Sequence, residues 1–261
     1  MCFEFDALPP ELPAGRGIIA GGAAAESLTI TSADGTEFAA ALAESPEPSG
    51  PAVVILPDVR GLYRFYIELA ERFAAAGHHA IAFDYFGRTA GVEERGEDFD
   101  WMPHVKQTSA ETIQADLGAA REALADRTGA TQFASVGFCF GGSHSFWAGT
   151  NPDLGIDAVV GFYGGLNAAG GPFPRPDLIG RADEIKLPVL ALFGGADDNI
   201  PADDRAAFDS GLERAGVEHE IVVYPGAPHS FFDRKQEEFA EASTDAWTKV
   251  LDFLAAEPVK A

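Results

Sequence analysis

The chain has 261 residues, with 41 acidic against 18 basic side chains and a formal charge of −23. Such a polyanion repels nucleic acid and has no basic stripe from which counterions could be released. At 46% hydrophobic residues, including 20 Phe, it can bury a large core, which excludes a disordered chain.

Residues 1–26 mix Pro, Gly and Ala without periodicity and read as an irregular leader held down by Phe3 and Phe5; residues 27–261 read as a single domain. The acidic start Met1-Cys2-Phe3-Glu4-Phe5-Asp6 lacks the basic and apolar regions of a signal peptide. Apolar runs such as Ala52-Val53-Val54-Ile55-Leu56 fall far short of the roughly 18 residues of a membrane span. A cytoplasmic protein with no membrane partner is expected, its cysteines, Cys2 and Cys139, kept as thiols. Two β-prone stretches, 27–31 and 36–42, flank Asp34-Gly35 and predict an antiparallel hairpin. Short apolar strands then alternate with helical segments. Strands are expected at 52–56, 80–84, 132–138, 158–163, 189–194 and 220–224, and helices near 63–76, 108–127, 141–150, 202–215 and 236–255. Runs without alternation belong to strands buried on both faces, so the fold class is α/β, a mostly parallel sheet flanked by helices. Ligands of such sheets bind beyond the carboxyl ends of the strands.

One of those strand ends carries Gly137-Phe138-Cys139-Phe140-Gly141-Gly142, the nucleophile-elbow pattern with Cys in place of Ser. Glycines two before and two after the centre are needed because a Cβ there would strike neighbouring backbone. The turn lifts Cys139 into a cleft at a helix N-terminus, where unpaired N–H groups favour an anionic sulfur. A thiol nucleophile wants a base, and the base an orienting carboxylate. Asp197 or Asp198 follows one later strand and His229 the next, in the chain order nucleophile, acid, histidine of α/β-hydrolases. The remaining histidines, His78, His79, His104, His144 and His219, fit a base less well, and none pairs with ligands at metal spacing. Neither a metal nor a cofactor is expected, and no open Gly-x-Gly-x-x-Gly loop is present.

From about Ser27 to Leu254 the chain resembles the dienelactone hydrolases. The elbow around Cys139, the acid loop Gly194-Gly195-Ala196-Asp197-Asp198-Asn199-Ile200-Pro201 and the histidine loop Ala227-Pro228-His229-Ser230-Phe231 are each similar to a family motif. The resemblance implies an α/β-hydrolase fold with Cys139 as nucleophile, His229 as general base and acid, and Asp197 rather than Asp198 as orienter. It implies that Asp58, where the family has Glu, partners the resting thiol, and that the Val59 and Phe140 N–H groups form the oxyanion hole. Tyr163, in Gly161-Phe162-Tyr163-Gly164, a segment similar to a family strand end, is expected to bind substrate. Family members bind a substrate carboxylate with arginines. Arg88 matches one of them, Arg234 is shifted by one from the second, and Arg60 is an additional nearby cation. The implied partner is a small ester or lactone, an anionic one included, cleaved through an acyl-thioester. A general carboxylesterase or thioesterase with the same triad, a redox-sensing Cys protein and a non-catalytic ligand-binding relative are the alternative readings.

Overall fold

The Asp34-Gly35 turn joins strands β1 (Glu26–Thr31) and β2 (Glu37–Ala43) in an antiparallel hairpin, with Thr31 opposite Glu37. The computed structural model describes residues 7–17, 24–169, 171–233 and 235–256. Phe3, Phe5, Cys2 and Arg234, to which the sequence reading attaches roles or questions, lie outside them. After the hairpin come β3 (Ala52–Leu56), α1 (Arg64–Ala75), β4 (Ala80–Phe83), the one-turn helices α2 (Gly87–Ala90) and α3 (Met102–Val105), and α4 (Ala110–Thr128). Then follow β5 (Phe133–Phe138), α5 (Phe140–Ala148), β6 (Ala158–Phe162), α6 (Leu178–Arg181), β7 (Val189–Gly194), α7 (Ala202–Ala215), β8 (His219–Tyr224) and α8 (Ala240–Ala255).

The eight strands form one sheet in the order β1-β2-β4-β3-β5-β6-β7-β8. β2 meets β4 antiparallel, and every pairing from β4 to β8 is parallel. β3, β4, β5 and β7 are buried along their whole length, as their unbroken apolar runs require. β8, at the edge, is half exposed. Helix α1 buries Phe65, Tyr66, Leu69 and Phe73, and α8 buries Trp247, Val250 and Leu254. The Trp247 indole N–H donates to the Pro10 carbonyl at 3.1 Å, tying the N-terminal segment to α8. Among the described residues no helix is long and apolar enough to cross a membrane.

The elements lie close to their expected positions, with one correction of length. Helix α8 begins at Ala240 rather than near 236, because Phe239 leaves helical geometry at φ −115°, ψ 41° and the chain before it runs in turns.

Candidate active site

Cys139 sits between the last residue of β5 and the first of α5 with φ 54° and ψ −111°, a backbone state that L-residues rarely adopt. The turn is tight enough that a Cβ on Gly137 would strike the Gly141 carbonyl, and one on Gly141 the Leu56 and Pro57 carbonyls. Those two glycines let α5 press against the end of β3 and hold the thiol above the sheet. The Cys139 amide is anchored to the Phe162 carbonyl at 3.0 Å. Among the described residues the other non-glycine positions with positive φ are Tyr163 (39°) and Ser230 (61°). Both flank the same site, which is where backbone strain of this kind tends to collect.

Asp197, just past β7, is buried, whereas Asp198 is exposed. One Asp197 oxygen accepts from the Asn199 amide at 3.0 Å and the Asn199 side chain at 3.1 Å; the other meets His229 Nδ1 at 2.6 Å. Beside this pair, the His229 ring and Cys139 share one cavity, and the charge of Cys139 acts on the imidazole. The loop after β8 thus lays one imidazole between a carboxylate and a sulfur, the geometry of a nucleophile, base and orienter. Burial pushes the His229 imidazole down, but the charge of Cys139, the hydrogen bonds to Asp197 and Cys139 and the Asp197 charge outweigh it. The pKa is pushed up to about 10. Burial likewise raises Asp197, yet His229 and the Asn199 donors hold its carboxyl below the ordinary value.

Cys139 and His229 open into a cavity of about 170 Å³, whose walls include Phe140, Ser143, Phe173 and Arg175. Two larger clefts lie elsewhere: about 440 Å³ at the amino ends of the strands, lined by Gly50, Phe133 and Pro188, and about 930 Å³ beneath residues 7–14. Neither contains Cys139 or His229, so the chemistry selects the small cavity.

The pattern of the dienelactone hydrolase family matches residues 38–257. The chain belongs to the dienelactone hydrolase family. A Synechocystis protein designated a carboxymethylenebutenolidase is 31% identical over 79% of this chain and 86% of its own. A Yersinia pestis protein of the same designation is 28% identical over 89% of each. The crystal structure of a Klebsiella pneumoniae protein designated a dienelactone hydrolase superposes with a TM-score of 0.77 at 26% identity, covering 89% of this chain and 98% of that one. The sheet and its helices are therefore an α/β-hydrolase fold, and the protein is a carboxylic ester hydrolase of the dienelactone hydrolase type.

The other residues to which family resemblance attaches roles are distributed unevenly. Neither the Val59 nor the Phe140 N–H has a backbone acceptor among the described residues. The Val59 loop is held from both sides: the Tyr85 hydroxyl donates to the Pro57 carbonyl at 2.7 Å, and buried Asp84 accepts the Leu62 amide at 2.9 Å. Asp84 is in turn paired with buried Arg95 at 2.9 Å. Asp58 makes no hydrogen bond to Cys139. Its carboxylate turns onto its own loop, accepting the Arg60 amide at 2.9 Å and meeting the Arg60 guanidinium at 3.3 Å. Aspartate is one methylene shorter than the family glutamate, and Arg60, which the usual pattern lacks, claims it.

Arg60 also stacks over Tyr63 at 3.8 Å and is not among the side chains lining the cavity. Tyr163 is buried beneath the histidine, its ring 5.0 Å from that of His229 and its hydroxyl donating to Asp233 at 2.8 Å. It supports the imidazole rather than lining the cavity. Arg88, expected to bind substrate, does not line the cavity. It forks Asp116 at 2.6 and 2.9 Å and reaches Asp34 at 2.9 Å, fastening the β1–β2 hairpin to α4 away from the cavity. The cation that does reach the cavity, Arg175, was missed together with Phe173. Both lie in Phe173-Pro174-Arg175-Pro176, past the end of β6. The signal available was its place past the carboxyl end of a central strand.

Proposed function

We propose that the chain hydrolyses a small ester or lactone through a covalent thioester on Cys139. The observation that carries the reading is the single imidazole held by Asp197 at 2.6 Å in the same cavity as Cys139, whose charge acts on it. The Cys139 sulfur, as thiolate, bonds to the carbonyl carbon, and the oxygen takes up negative charge facing the Val59 and Phe140 amides. Donors already positioned for that charge need no reorganisation as it develops. When the intermediate collapses, the carbon–oxygen bond to the leaving group breaks and His229 gives its proton to the departing oxygen.

Acylation also resets the histidine. In the resting site the charge of Cys139 is the largest cause holding a proton on His229. A thioester carries no charge, so that support is gone and burial favours the neutral ring. Neutral His229, still oriented by Asp197, takes a proton from water as the water oxygen attacks the thioester. The carbon–sulfur bond breaks, the acid leaves, and thiolate and imidazolium are restored. The cavity volume suits a substrate of small size.

Incubation with p-nitrophenyl acetate, an acid quench and peptide mass mapping test this sequence. An acetyl group on the Cys139 peptide is expected, more abundant when Asp197→Asn slows deacylation, and turnover is lost in Cys139→Ala. Undiminished hydrolysis by Cys139→Ala overturns the reading.

A further inference from the structure

Arg95 and Asp84 form a buried ion pair that no step above uses. Arg95 lies in residues 91–101, a segment without helix or strand between α2 and α3. Its neighbours Glu93, Glu94, Glu97 and Asp98 are exposed acids, so the surface offers the cation partners at little cost. It turns inward instead. The guanidinium sits over the Phe99 ring at 4.7 Å and donates to Asp84 at 2.9 and 3.3 Å, to the Ala90 carbonyl at 3.3 Å and to the Gly91 carbonyl at 2.6 Å. A buried ion pair is often no more stabilising than apolar side chains of the same volume, because both charges must leave water. What this one supplies is direction.

That direction matters because of what else the Asp84 carboxylate holds. Its Oδ1 accepts the Leu62 amide at 2.9 Å, and its Oδ2, the oxygen gripped by Arg95, accepts the Phe86 amide at 2.9 Å. Gly61, with φ 78°, lies so close to Oδ1 that a Cβ there would strike it. The Gly61 amide closes a turn on the Asp58 carbonyl at 3.1 Å, with Val59 and Arg60 at its corner. The Tyr85 hydroxyl fixes the entry to this turn through the Pro57 carbonyl, and Asp84 fixes its exit through Leu62. Among the described residues the one cation paired with Asp84 is Arg95.

We propose that Arg95 is a positioning residue for ester cleavage: by locking Asp84 it fixes the turn that aims the Val59 amide at the oxygen on which charge develops. That role rests on the hydrolytic reading above. Without the guanidinium Asp84 is a buried carboxylate with no counter-charge, which turns toward water and releases the Leu62 amide. The turn slackens, and the Val59 N–H must be reoriented as the charge forms. Cys139 and Asp197 keep their own anchors, the Phe162 carbonyl and the Asn199 donors.

Two reagents separate the amide from the sulfur. Iodoacetamide is attacked at a saturated carbon and loses iodide, so its rate on the Cys139 peptide reads the thiolate and access to it. With 1,1,1-trifluorobutan-2-one the sulfur bonds to the carbonyl carbon and the π electrons pass to the oxygen, giving an alkoxide where the reaction's oxyanion would stand. In Arg95→Gln, kcat/KM for p-nitrophenyl acetate and affinity for the ketone, read as protection of Cys139 from iodoacetamide, should each fall by about 10- to 100-fold. Alkylation without ketone should stay within about twofold of wild type, since no oxyanion forms in it. Arg95→Lys keeps the charge but not the fork and should fall between the two; it decides by the same comparison if Arg95→Gln does not fold. Hydrolysis and ketone affinity equal to wild type overturn the proposal. So does a drop in alkylation in step with them, because Arg95 then serves the sulfur or the fold as a whole. If wild-type protein cleaves no ester while ketone affinity still depends on Arg95, the hydrolytic reading fails and the positioning of the amide stands; if it also binds no ketone, both fall.

Discussion

At the scale of single residues, His229 carries opposite duties in the two halves of the reaction, and its proton makes them measurable. A pKa of about 10 means that the ring holds its proton throughout the neutral range and releases it as pH rises through that value. Since that proton goes to the leaving group, kcat/KM for a neutral ester should stay high up to about pH 10 and fall above it. Asp197→Asn removes one of the charges that keep the proton in place, so this alkaline limb should move to lower pH. The rate at neutral pH should drop by roughly 100-fold or more, the direction set by amide substitution in serine triads. A pH profile of initial rates for both proteins checks the sign, and an alkaline limb that stays put in Asp197→Asn contradicts the assignment. The strand-end loops that carry Cys139, the acid and His229 were legible from the apolar runs before them and from chain order, but only the family resemblance chose Asp197, which is buried, over Asp198, which is exposed. The partner of Asp58 was not legible, because it depended on Arg60 two residues away folding back across the same loop. Arg175 was only partly legible: its place past the end of β6 marks the loop, but nothing in Phe173-Pro174-Arg175-Pro176 says that the guanidinium will face the cavity of the sulfur.

At the scale of elements, Arg88 shows how a motif match can hold while its role changes. The residue lies just after β4, as the family resemblance led one to expect, but Asp116 on α4 and Asp34 in the hairpin turn have captured it. Asp116 is almost fully buried, and burial pushes its carboxyl up even with the guanidinium in contact. Removing the cation therefore strands a buried acid, which costs far more than losing an exposed ion pair. Arg88→Ala should lower unfolding stability by about 3 kcal/mol, measured by urea titration, while leaving unchanged the ratio of kcat/KM for mono-p-nitrophenyl succinate to that for p-nitrophenyl butyrate. A shifted ester ratio with unaltered stability would return Arg88 to the substrate. The elements themselves were readable wherever burial is symmetric. β3 and β7 begin and end where their apolar runs do, since strands covered on both faces admit no polar interruption. The helices α2, α3 and α6, of four residues each, went unread because a single turn cannot display a 3.6-residue period.

For the whole molecule, the α/β class followed from the alternation of strands and helices, but strand order did not. That β4 lies between β2 and β3, and β3 beside β5, is fixed by contacts among segments far apart in the chain. The charge, by contrast, is a property of the entire surface and supports a prediction of its own. The described ion pairs at the surface, such as Arg127 with Glu26 and Glu44 or Lys249 with Glu220, are exposed and contribute little to stability. They also consume cations of which there are few, 18 against 41 acids. With 41 acids and 18 basic side chains, most acids have no cation of their own, and the mutual repulsion of the surplus disfavours the compact state. Salt screens attraction and repulsion alike, contracting the Debye length from about 30 Å at 0.01 M to about 3 Å at 1 M. With repulsive pairs in the majority, Tm should rise as sodium chloride is increased over that range, by about 2–4 °C for each kcal/mol of repulsion relieved. Potassium chloride should give the same rise, because screening depends on ionic strength rather than on ion identity. If Tm falls instead, the few surface ion pairs outweigh the unpaired acids, and the net charge is not what limits the stability of this fold.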